Sequence, residues 1–169
     1  MSETKSVQLL AAVYPDEEHA KTTIDMLHDM HRATNIDLVD SAMITKDAEG
    51  KIKVHETKEL TTAKGARRGA IIAGVVGLIY PPSLIGSALV GGVIGAVTGR
   101  IRDTGIKNPQ LKEIADKLEP GKAAVIALVA EESTLAAQNA LAGYEGSLVI
   151  QALDEATVKE LYKAAHAVQ

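Results

Sequence analysis

From residue 69 to residue 99 the chain reads "GAIIAGVVGLIYPPSLIGSALVGGVIGAVTG", 31 residues without a charged side chain. Such a segment must be covered by lipid, by the rest of the fold or by another chain, because soluble monomers rarely leave a continuous apolar surface in water. Its small residues are ordered. Gly65, Gly69, Ala73 and Gly77 recur at every fourth position, and Ser83, Ser87, Gly91, Gly95 and Gly99 do the same further on. Residues four apart share one face of a helix, so each arm carries a smooth stripe. A stripe of this kind lets backbones approach closely, as in small-xxx-small packing. That packing has to offset roughly 1 kcal/mol for each Gly relative to Ala in a helix.

Tyr80, Pro81 and Pro82, followed by Ser83, interrupt the run. Proline disfavours a continuous helix, and the spacing predicts two antiparallel helices over 64–79 and 83–101 with Tyr80, Pro81 and Pro82 at the tip. Lys64, Arg67 and Arg68 precede the run, and Arg100, Arg102 and Lys107 follow it. This basic collar suits anionic lipid head groups or an acidic partner, and equally a pair of solvated helix ends. If the hairpin enters a bilayer, both of its ends stay on the cytoplasmic side. A spanning helix needs about 20 apolar residues to cross roughly 30 Å of hydrocarbon. The uncharged part of the first arm has 11 residues and that of the second 17, or about 16 and 25 Å at helical rise. A re-entrant hairpin, or one buried among other copies of the chain, fits that length better than two full spans.

The rest of the 169-residue chain is conventional, with 24% charged residues, enough to exclude disorder and to support one domain carrying an insertion. Four Tyr stand beside no Phe and no Trp, so the core is aliphatic and stacking platforms for single-stranded nucleic acid lose support. A net charge of −4 and a pI near 5.7 argue against a general nucleic-acid binder. The absence of cysteine excludes disulfides, thiolate chemistry and cysteine-based zinc sites. The first residues lack the pattern of a signal peptide, and a cytoplasmic protein is expected, with the inner face of the cytoplasmic membrane as the alternative location.

Apolar periodicity gives the remaining elements. "VQLLAAV" reads as a buried strand, and Pro15 with Asp16, Glu17 and Glu18 as a helix start with proline at the first helical position. Ala20, Ile24, Leu27 and His31 follow at helical spacing. "IDLVDSAMIT" and "KIKVHET" form a strand hairpin around residues 47–50, with Gly50 placed for positive φ. Asn108 and Pro109 open a helix with Leu111, Ile114, Ala115 and Leu118 on one face, closed by Pro120 and Gly121. "AAVIALVA" is a buried strand, "STLAAQNALAG" a short helix closed by Gly143, and "SLVIQAL" another strand. Asp154 caps a last helix with Val158, Leu161, Tyr162, Ala165 and Val168 on one side. Two βαβ halves in this order predict an α+β fold of ferredoxin-like type, residues 1–60 and 122–169, with residues 61–121 inserted as the apolar hairpin and a connecting helix.

The chain resembles an uncharacterised bacterial family labelled predicted membrane proteins of unknown function. The resemblance rests on "VYPDEEHA", on "DAEGKIKVHETKELT", on the glycine-rich double arm and above all on "DTGIKNPQLKEIADKLEPGKAAVIALV". In that last piece Asp103, Gly105 and Ile106 pair with Leu118, Pro120 and Gly121 ahead of an apolar strand. The hairpin departs from the family in carrying no Phe or Trp. The resemblance implies bacterial origin and a membrane location, and no catalytic residue.

Side chains able to do chemistry are few. His28 and His31, near Asp25 and Asp29, lie one helical turn apart, but two ligands at that spacing without an HExxH context are a weak metal signal. A core-edge role suits His31 better, given Leu27 and Ile24 on its face. "GARRGAIIAG" fits neither dinucleotide nor P-loop spacing. Glu131 with Glu132, and Asp16 with Glu17 and Glu18, sit where helices begin and complement the helix dipole. The expectation is a non-enzymatic protein without metal or cofactor, its partners other copies of itself and possibly a bilayer, with no nucleic acid or small-molecule substrate. A soluble ring or shell is the alternative, and a small-ligand sensor or enzyme of ferredoxin-like type a third reading.

Overall fold

The computed structural model describes residues 6–55, 116–141, 148–153 and 159. In chain order the elements are β1 (Val7–Tyr14), α1 (Glu17–Arg32), β2 (Leu38–Lys46), β3 (Ile52–His55), β4 (Ala123–Ala130), a 3-10 turn (Glu131–Ser133), α2 (Thr134–Leu141) and β5 (Leu148–Leu153). The strands form one five-stranded sheet in the order β3-β2-β4-β1-β5, and every neighbouring pair is antiparallel. The expected α+β class is present in that form. β1 and β2 therefore run parallel with β4 between them, and β4 and β5 run parallel with β1 between them. Parallel strands need a crossover, and α1 and α2 supply the two.

β4 contains no polar residue and is buried along its whole length. Its odd-numbered residues, with Leu10, Ala12 and Tyr14 of β1, face Ala20, Ile24 and Leu27 of α1 and Ala137 and Leu141 of α2. Alternation sends the other half of each strand to the opposite face. The short edge strand β3 alternates buried Ile52 with exposed Lys53, as its sequence predicts.

The start of α1 differs from expectation. Asp16, with extended backbone, is the N-cap and accepts a 2.9 Å hydrogen bond from the His19 amide, so Pro15 stands outside the helix rather than at its first position. A carboxylate can satisfy an orphan helix N–H only from a non-helical residue, and that moves the boundary one position along. α1 ends at Ala33, and Thr34 then takes a φ of 61°, costly for a β-branched side chain. The strand hairpin closes as predicted, with Gly50 at φ 86°. Asp47 accepts from the amides of Glu49 and Lys51, both at 2.9 Å. Gly121, at φ 91°, gives the turn before β4. The helix from Asn108 lies outside the described residues up to Ala115; so do Gly143 and the last helix except Lys159.

Candidate functional site

The four histidines within the described residues each serve the fold. His19 Nδ1 lies 2.7 Å from the Asp16 carboxylate that also caps the helix, in a half-buried setting. These contacts, the His19 amide first and the His19 ring second, hold the Asp16 carboxyl below its ordinary value of 3.8. His28 and His31 do not converge. His28 Nε2 meets the buried Ser41 hydroxyl of β2 at 3.1 Å. The Leu38 amide donates to His31 Nδ1 at 3.1 Å and ties the end of α1 to the start of β2. His31 is the core-edge histidine its helical face predicts. His55 Nε2 contacts Thr45 Oγ1 at 2.7 Å across the edge hairpin. Among the described residues no group of three His, Cys, Asp or Glu side chains is placed to hold a metal ion.

The acidic pairs stand at element starts. Glu131 and Glu132 occupy the first turn of the 3-10 segment and are exposed, and Glu17 and Glu18 open α1. The 3-10 turn is held by Ser133, whose hydroxyl accepts from the Asp37 amide at 2.7 Å. Tyr14, 1% exposed, donates its hydroxyl to the Leu141 carbonyl at 3.0 Å and pins α2 to β1.

The sheet's second face is also buried. It carries Leu9 and Ala11 of β1, Ile126 and Leu128 of β4 and Ile44 of β2, all 1% exposed or less. Both described helices pack on the other face. Among the described residues one charged side chain is buried in this surface, while Lys46 stands half-buried at its edge. Asp40, opposite Leu128 and 8% exposed, follows a register shift between Leu38 and Asp40. Its Oδ1 accepts from the Ser41 amide at 2.8 Å. Burying a carboxylate at that depth is costly unless it is hydrogen-bonded. Sequence reasoning missed it, although an acid in the middle of "LVDSAM" is the visible signal.

The small-residue stripes, the proline tip and the basic collar all lie outside the described residues. Among the described residues no helix is long and apolar enough to cross a membrane.

No curated protein and no solved structure matches the chain at the level required for significance. A family model does match, over residues 66–166. That span takes in the apolar run, the "DTGIKNPQLKEIADKLEPG" stretch, β4, α2 and β5. "VYPDEEHA" and most of "DAEGKIKVHETKELT" precede it. The match covers more than half of the chain, which therefore belongs to the family described as protein of unknown function (DUF1269).

Proposed function

We propose that this is a non-enzymatic, self-associating protein. A sheet domain of ferredoxin-like type carries the glycine-zipper hairpin, residues 69–99, and hairpins of several copies pack together at the membrane surface. The carrying observation is the spacing of small residues at every fourth position in a 31-residue run without charge. Close helix contact is the physical return for that many glycines. The basic collar supports a location beside anionic lipid. The histidines that a catalytic reading would use are instead bonded to a helix cap, a β2 hydroxyl, a β2 amide and a β2 threonine. A soluble ring or shell, with hairpins packed on each other and no lipid, is the second reading; arms of 11 and 17 uncharged residues favour it.

Gly95→Leu tests the stripe. It puts a branched side chain where two helices meet, and the assembly should dissociate or shrink by light scattering. An unchanged mass removes the zipper role. Carbonate washing of membranes separates the two readings: retention supports an inserted hairpin, and release leaves the soluble assembly.

A further inference from the structure

We propose that the second face of the sheet is the seat of the chain's own apolar run, residues 69–99, so that the run is held between the sheet on its inner side and other copies or lipid on its outer side. A single chain buries this face. Leu9, Ala11, Ile44, Ile126 and Leu128 are each 1% exposed or less without any second molecule, so the cover is intramolecular. α1 and α2 are not that cover, since their apolar residues pack on the opposite face.

Topology and composition favour the segment between β3 and β4 as the occupant. Both strands run antiparallel to β2, and hence parallel to each other, so the chain between them must travel the length of the sheet. Within that segment the uncharged run is 31 residues long. The C-terminal stretch is the other long candidate, but it carries Asp154, Glu155, Lys159, Glu160 and Lys163, and one helix covers only about 10 Å of width.

The dimensions agree. Five strands about 4.8 Å apart span roughly 19 Å between the outer axes, and two helices packed 8–10 Å apart cover about 20 Å. β1 and β4 have 8 residues each, or about 26 Å of strand. The second arm, read as a helix, measures about 25 Å. Among the described residues the buried part of the face is made of Ala, Val, Ile and Leu apart from Asp40, with the half-buried Lys46 at the end of β2. A helix that is apolar all round needs cover on two sides. The sheet takes one, and self-association or lipid takes the other. The proposal concerns the inner side alone and stands or falls independently of what covers the outer one.

The chain has no cysteine, so introduced pairs report cleanly. In the full chain, Ala42→Cys or Ala124→Cys on the second face is paired in turn with Ala73→Cys, Ala88→Cys or Ala96→Cys. Ala127→Cys on the helix-covered face serves as control. Oxidation should give an intrachain disulfide with at least one arm position for the second-face cysteines and none for the control. Disulfides joining a second-face cysteine of one chain to an arm cysteine of another, disulfides to Ala156→Cys or Ala164→Cys in the C-terminal stretch, or no disulfide to a second-face cysteine at all would overturn the proposal. A measurement without substitution guards against variants that fail to fold. In the methyl-labelled native chain, nuclear Overhauser contacts should connect Ile126 or Leu128 with residues 69–99. A sample mixing labelled and unlabelled chains should retain them as intramolecular. Their absence, or their appearance only between chains, contradicts the proposal even if the protein is oligomeric.

Discussion

The two faces of the sheet are buried to the same degree by different means. The face under α1 and α2 combines apolar packing with directional bonds: Tyr14 to the Leu141 carbonyl, His28 to Ser41, and the Leu38 amide to His31. The second face is an aliphatic surface in which Asp40 is the one buried charge among the described residues. Hydrogen bonds fix which helix sits where on the first face, because a wrong arrangement leaves buried polar groups unsatisfied. Aliphatic packing gives comparable burial but sets position mainly by shape. The proposed seating of the small-residue run on this face would be a shape-matched solution of that kind.

Paired truncations put the comparison at its greatest risk. Leu10→Ala on the helix-covered face and Leu128→Ala on the second face each remove a side chain that is 0–1% exposed. Both should cost about 3 kcal/mol in denaturant unfolding. If Leu128→Ala costs well under 1 kcal/mol, the second face is open in solution and the comparison collapses. Tyr14→Phe sharpens the first face. It removes the hydroxyl that donates to the buried Leu141 carbonyl and should cost about 1–2 kcal/mol, with faster amide exchange in α2 as the local readout.

A smaller effect of opposite sign is expected at Thr34. Glycine adopts φ near 61° without strain, so Thr34→Gly should raise stability by about 0.5 kcal/mol. Unfolding of the variant at a lower denaturant midpoint would show that the threonine is not strained there. The smallest effect is electrostatic and belongs to the turns at the ends of α1 and the β2–β3 hairpin. Asp16 is held low chiefly by the His19 amide and Asp47 chiefly by the Lys51 amide, both below 3.8. The unfolded chain takes up these protons first as pH falls, so their contribution is present above pH 3.8 and is lost below it, through the lowered folded values. Replacing both by Asn should flatten the acid limb of a stability-pH curve; an unaltered limb would show that these two carboxylates do not shape it.

Much of the sheet was legible because its strands are written in local pattern. "VQLLAAV" and "AAVIALVA" admit few readings other than buried strands, and residues 47–50 announce a turn through Asp47 and Gly50. Local pattern also explains the error at Pro15, where two capping chemistries compete within two residues and the Asp16 side chain wins. What was not legible depends on contacts distant in sequence. Ser133 meets the Asp37 amide 96 residues away, and Tyr14 meets Leu141 at a separation of 127. The apparent metal pair of His28 and His31 separates because each ring finds a different β2 partner, Ser41 or Leu38. Burial of the second face was readable only in part. β4 has no polar alternation, which signals cover on both sides without saying what provides it. The stripes, tip and collar were legible as a pattern, and they lie outside the described residues.

Whether the apolar run serves self-association is tested most directly by the mass of the purified chain. Light scattering without detergent measures it, or the protein part of the detergent complex if the chain stays in solution only with detergent. A defined multimer of the 17.8 kDa chain is expected, reduced by Gly95→Leu. A monomer of 17.8 kDa at every concentration would contradict self-association.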